Sequence, residues 1–180
     1  DGKLIVGVGK PPANFKANQT IDAHNHWVIP GLVDCQVRLR EPGQVHKGTI
    51  ESETQAAAAN GITSLCIPPD TQPVIDNTAV VELIHHGNSK AGNHCHIYTI
   101  GALSQNLAGE QLTNMAGLKS SGCIALSNAK QPFNSNLVQR RAMEYAEGHK
   151  MLVIIQPRDH DLYANGCAHD VCRPCSNGAT

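Results

Sequence analysis

Apolar residues in this chain come in short continuous runs separated by longer stretches with helical spacing. The runs at 63–67, 95–100, 123–126 and 151–155 are rich in Ile, Leu, Val and Cys. Each has the length and continuity of a strand buried on both faces. Upstream, Val33, Cys35, Val37 and Leu39 alternate with Asp34, Gln36, Arg38 and Arg40, between Gly31 and the breaker Pro42-Gly43. Between the runs lie four helical patterns. Residues 49–59 are alanine-rich, with glutamates early and Asn60-Gly61 as a stop. A second helix is expected from a cap at Asn77 or Thr78 to about His86, and a third over 110–119 on Leu112, Met115 and Leu118. A fourth covers 136–147, with Arg140 and Glu144 spaced for i,i+4 contact. The resulting βαβαβαβαβ order predicts parallel strands covered by helices, joined by right-handed crossovers. Pattern alone does not separate an open sheet from a barrel.

The ends read differently. Leu4, Val6 and Val8 alternate before Gly9, as in a hairpin arm over 1–10, and 20–29 reads as a further short strand. After Asp161 the periodic pattern stops. The tail is rich in Gly, Cys and Asn, as in a disordered or aberrant segment, yet Cys167, His169, Cys172 and Cys175 stand at spacings that could hold zinc.

Composition adds limits. The chain has 180 residues, 41% hydrophobic and 16% charged, with a net charge of -1. That balance gives no footing for nucleic acid or a membrane surface as partner, and no apolar stretch reaches the roughly 20 residues of a bilayer span. The first residues lack a signal-peptide pattern, so a cytoplasmic location is expected. Aromatics make up only 3%, leaving the core to aliphatic side chains. Seven cysteines without framework spacing argue against a disulfide scaffold; Cys35, Cys66, Cys95 and Cys123 read as reduced core thiols. The length suffices for one domain but falls short of the roughly 250 residues of a complete eight-stranded α/β barrel.

The stretch 30–43, Pro-Gly-Leu-Val-Asp-Cys-Gln-Val-Arg-Leu-Arg-Glu-Pro-Gly, resembles the first barrel strand of the dihydroorotase family, within the amidohydrolase superfamily. That family carries Gly-Phe-Val-Asp-Leu-His-Val-His-Leu-Arg-Glu-Pro-Gly, whose two histidines hold metal. The resemblance implies a partial (β/α)8 barrel, strands one to five, with part of a small β domain before it. The expected division is 1–29 for the remnant of the small β-sandwich domain, 30–161 for the first part of the barrel and 162–180 for the irregular tail. The family continues through three further strands, so a truncated or frameshifted chain is expected. Open edges at strands one and five would favour aggregation.

Dihydroorotases interconvert carbamoyl aspartate and dihydroorotate on a binuclear metal centre that polarises the ring amide and activates water. Four ligand positions can be matched, and all four differ. The histidine pair is Gln36 and Arg38; the aspartate after strand four is Asn128; the histidine after strand five is Gln156. An arginine cannot deprotonate in a protein and repels a cation. No metal, cofactor or catalytic residue is therefore expected. His24 and His26 have the H-x-H spacing but precede Pro30-Gly31, so they read as exposed loop histidines. Lys130 lies beyond strand four and is a poor match for the carboxylated lysine of allantoinases and dihydropyrimidinases.

Two substrate positions are mixed. Arg40 matches the arginine that holds the substrate carboxylate, and a second reading pairs it with Glu41 or Asp70 to hold the loop. Asp70 replaces the family's substrate-binding asparagine and would repel an anion. Dihydroorotase-like noncatalytic chains associate with the catalytic chain of aspartate carbamoyltransferase, and the resemblance points to that role, with self-association also open. The alternatives are an active zinc-dependent dihydroorotase or related cyclic amidase, and a nonfunctional truncated fragment.

Overall fold

In the computed structural model the described residues are 4, 5 and 7–157. The tail cluster Cys167, His169, Cys172 and Cys175 lies outside them. The chain divides into two units, Asp1–Pro30 and Gly31–Thr180.

In the first unit the described residues form turns, closed by Phe15 N–H to the Pro12 carbonyl and His26 N–H to the Ala23 carbonyl, both 2.9 Å. The strands expected at 1–10 and 20–29 are not formed there among the described residues. A strand needs a partner in register, and among the described residues no strand pairing includes these segments. His24 and His26 lie exposed around a turn, where Asp22 accepts the His24 N–H.

The second unit is a parallel sheet in the order β1 (Leu32–Asp34), β2 (Ile62–Ile67), β3 (His96–Ala102), β4 (Ala125–Ser127) and β5 (Leu152–Ile154). It alternates with helices α1 (Ile50–Ala59), α2 (Thr78–Lys90), α3 (Met115–Ser120) and α4 (Asn136–Gly148). The five neighbouring strands run in sequence order, as in the first part of an amidohydrolase barrel. Leu65, Ile67 and Ile97 pack with Val81 and Ile84 of α2 and Met115 and Leu118 of α3 in the main core. Cys66, Ile100 and Ala125 form a small second cluster. Burial pushes the thiols of Cys95 and Cys123 up, as expected for reduced core cysteines.

Local signals set the helix starts. Thr49 Oγ1 accepts the Ser52 N–H, and Ser52 Oγ accepts the Thr49 N–H, a reciprocal cap on α1. Asn77 Oδ1 accepts the Val80 N–H at the start of α2. Arg140 and Glu144 pair at 2.8 Å on α4.

Three elements depart from expectation. Helix α3 starts at Met115 because residues before it are engaged elsewhere. Ser104 bridges Leu112 in antiparallel fashion, and Thr113 donates through N–H to the Leu103 carbonyl and through Oγ1 to the Ala102 carbonyl. Helix α2 runs on past His86, since Asn88 is buried and its amide donates to the Cys95 carbonyl. Strand β1 is only three residues long, and Val33 and Cys35 are exposed rather than core. Asp34 Oδ1 captures the Gln36 N–H at 2.9 Å, which takes that donor out of the ladder. Pairing resumes where Val37 N–H donates to the Cys66 carbonyl.

Ile67 is fully buried in the main core, so Ile67→Ala should lower stability by about 2–5 kcal/mol in urea denaturation. Val33→Ala, at an exposed edge position, should change it by less than about 0.5 kcal/mol.

Candidate functional site

Because the strands are parallel, the segments that follow them all leave from one edge of the sheet. That edge collects every matched position. Gln36 and Arg38 follow β1, Asp70 follows β2, Asn128 follows β4 directly, and Gln156 lies two residues past β5.

Arg38 and Asp70 meet across the ends of β1 and β2. Arg38 Nη2 lies 2.6 Å and Nε 3.1 Å from the single oxygen Asp70 Oδ2. Both side chains are about one-third exposed, 35% and 27%. A cation thus stands at one of the positions that the resemblance matches to a metal ligand, and it is paired with a carboxylate at one matched to a substrate-binding residue. The loop-holding reading of Arg40 gives it Glu41 or Asp70 as partner; the structure pairs Asp70 with Arg38 instead. Arg40 sits in left-handed backbone at φ 66°, exposed, and Glu41 is also spoken for. Glu41 Oε2 accepts the Ile50 N–H at 2.7 Å, a third satisfied donor at the start of α1. Arg40 therefore holds neither acidic neighbour.

Both arginines and Asp70 line a cleft of about 390 Å³ with Gln44, Pro68 and Thr71. The loops that form it pack closely. A Cβ on Gly43, at φ 108°, would come within 2.6 Å of the Gln72 backbone carbonyl. Only glycine fits both that conformation and that approach.

Asn128 is 2% exposed, and its amide is committed on both sides. Ser104 Oγ donates to Asn128 Oδ1 at 2.6 Å, while Asn128 Nδ2 faces the carbonyls of Gln131 at 3.1 Å and Leu107 at 3.4 Å. Ser104 Oγ in turn accepts the Gly109 N–H. The amide pins the 104–109 loop to the turn after β4. A carboxylate could accept from Ser104 but could not donate to either carbonyl. Gln36 and Gln156 are exposed, as is Lys130.

These four positions do not fit a zinc pair. They offer two exposed amides, one buried amide whose oxygen already accepts a hydrogen bond, and a paired guanidinium, against a need for imidazole and carboxylate ligands. Among the described residues, no group of three or more His, Cys, Asp or Glu side chains could hold a metal ion. Sequence reasoning did not single out Ser104 or the Glu41 cap. Ser104 belongs to no periodic pattern, and a serine's partner 24 residues away leaves no local signal.

Restoring a carboxylate by Asn128→Asp should destabilise the fold by about 3 kcal/mol or more at pH 7, because a buried charge would face two carbonyls. Those surroundings raise the folded-state pKa of the new carboxyl above its unfolded value. The penalty should thus be small at acidic pH and grow as pH rises through that interval, which urea denaturation across pH can check. Arg38→Ala and Asp70→Asn should each have modest effects. Their double-mutant coupling should be about 1 kcal/mol or less and weaken with salt, as suits a partly exposed pair.

The dihydro-orotase-like family model matches residues 25–178. A dihydroorotase-like protein of Pseudomonas aeruginosa is 48% identical over 166 residues, covering 92% of this chain and 39% of the relative. A dihydroorotase-like protein of Pseudomonas putida is 45% identical over 170 residues, 94% of this chain and 40% of that relative. A dihydroorotase of Trichlorobacter lovleyi is 37% identical over 167 residues, 93% and 39% of the two chains. The chain spans about two-fifths of the length of these relatives. With the family's sheet order and its first-strand sequence frame, the chain belongs to the dihydroorotase-like family.

Proposed function

We propose that this is a noncatalytic dihydroorotase-like chain that supports assembly or activity of the aspartate carbamoyltransferase catalytic chain in pyrimidine synthesis. One observation carries the reading. The matched ligand positions hold Gln36, Arg38, Asn128 and Gln156, with Arg38 ion-paired to Asp70 and Asn128 hydrogen-bonded into the scaffold. Two of these residues, Arg38 and Asn128, make contacts that hold loops, and the amides of Gln36 and Gln156 are exposed. The names of the two Pseudomonas relatives, dihydroorotase-like rather than dihydroorotase, agree with this.

In the same reading, 1–29 belongs to the small β domain and 30–161 to the first part of the barrel, while the tail segment 162–180 lies outside the described residues. Arg40 and Asp70 are vestiges of a substrate site, and Asp70 now serves Arg38. An edge with fixed loops, where Arg38 is paired with Asp70, suits a scaffold whose work is contact with another subunit. No helix among the described residues is long and apolar enough to cross a membrane, and the reading places the protein in the cytoplasm.

Co-expression with the cognate transferase chain should give co-purification, co-elution in size exclusion, and transferase activity that depends on this chain. Separate elution with unchanged transferase activity would reject the assembly role. Zinc-dependent turnover of dihydroorotate would instead establish the active enzyme.

A further inference from the structure

The pairing of β1 with β2 brings two cysteines together on one face of the sheet. The last matched pair is Asp34 with Leu65, and the next ladder contact is Val37 N–H to the Cys66 carbonyl. Two residues of the first segment, Cys35 and Gln36, therefore stand opposite the single residue Cys66, as at a β-bulge. Leu65 and Ile67, on either side of Cys66, belong to the main core under the helices. Cys66 faces the other way and clusters with Ile100 and Ala125. Asp34 is paired with Leu65, so the residue after it, Cys35, turns to the face of Cys66. Neighbouring strands are about 4.7–4.9 Å apart, inside the 4.4–6.8 Å between Cα atoms that a disulfide spans.

The two thiols differ in environment. Cys35 is exposed and free, whereas Cys66 is 8% exposed and free. Burial pushes the Cys66 thiol up, and Cys35 and Asp34 are near enough to push it the same way. Neither cysteine has a part in the transferase reading.

We propose that Cys35 and Cys66 form a dithiol site for small disulfides, with Cys35 as the attacking and Cys66 as the resolving thiol. The Cys35 thiolate attacks one sulfur of a disulfide RSSR; a Cys35–SR bond forms and RS⁻ leaves. Cys66 then loses its proton and attacks the Cys35 sulfur. The Cys35–Cys66 bond forms, and the second RS⁻ departs. In sum, two protein thiols are oxidised, RSSR is reduced to two RSH, and the protons lost by the protein are taken up by the leaving thiolates. The product links β1 to β2 at the sheet edge that carries Arg38 and Asp70.

The test treats the full chain with oxidised glutathione in native buffer and in urea, followed by peptide mapping. Cys35–Cys66 should be the main product in buffer, with a yield at least about tenfold above that in urea. Cys66→Ser should stop the reaction at a glutathione adduct on Cys35, and Cys35→Ser should leave Cys66 unmodified. Equal yields in buffer and urea would overturn the proposal. So would a wild-type chain that stops at the Cys35 adduct, pairing of Cys35 with Cys167, Cys172 or Cys175 instead, or modification of Cys66 that is unaffected by Cys35→Ser.

Discussion

The parallel register of β1 with β2 is the constraint on which this sheet edge depends. It sets two strand ends side by side, so the loops that follow must share space. Gly43 has no side chain where it meets Gln72, and that lets the loops close. Arg38 then reaches Asp70, and a positive charge that would disturb a metal centre is balanced within the protein. The pair is partly exposed, so its contribution to overall stability is small. Its larger consequence is electrostatic: the edge carries a paired cation and carboxylate at positions that the resemblance matches to a metal ligand and a substrate-binding amide.

Asn128 shows the same replacement in a buried setting. An amide both donates and accepts, whereas a carboxylate only accepts. The Ser104 hydroxyl and the carbonyls of Gln131 and Leu107 use both capacities of Asn128. Asn128 is thus a joint between the 104–109 loop and the turn after β4. Arg38 and Asn128 both tie this edge together through contacts with other protein groups.

Much of this was legible in the chain. The order of strands and helices followed from apolar runs and helical spacing, because burial on both sheet faces demands continuous apolar residues. Asn77 caps its helix as its sequence position suggests, because capping chemistry is local. The four altered ligand positions were visible through the resemblance at 30–43 and the ends of strands four and five. Contacts between distant segments were less legible. Nothing in the sequence separates Arg38 from Arg40 as the partner of Asp70; backbone conformation does, with Arg40 at φ 66°. The late start of α3 came from Thr113 and Leu112 pairing with residues 102–104, a tertiary demand that outweighs helical spacing. Cys35 looked like core because it alternates with polar neighbours, but the Asp34–Gln36 contact interrupts that alternation.

The central claim is that this sheet edge is organised without metal. The most direct test is the zinc content of the purified full chain carrying Cys167→Ser, Cys172→Ser and Cys175→Ser, which removes the thiols of the tail. Elemental analysis after growth in zinc and gel filtration should find no stoichiometric zinc. One or two zinc ions per chain would contradict the account.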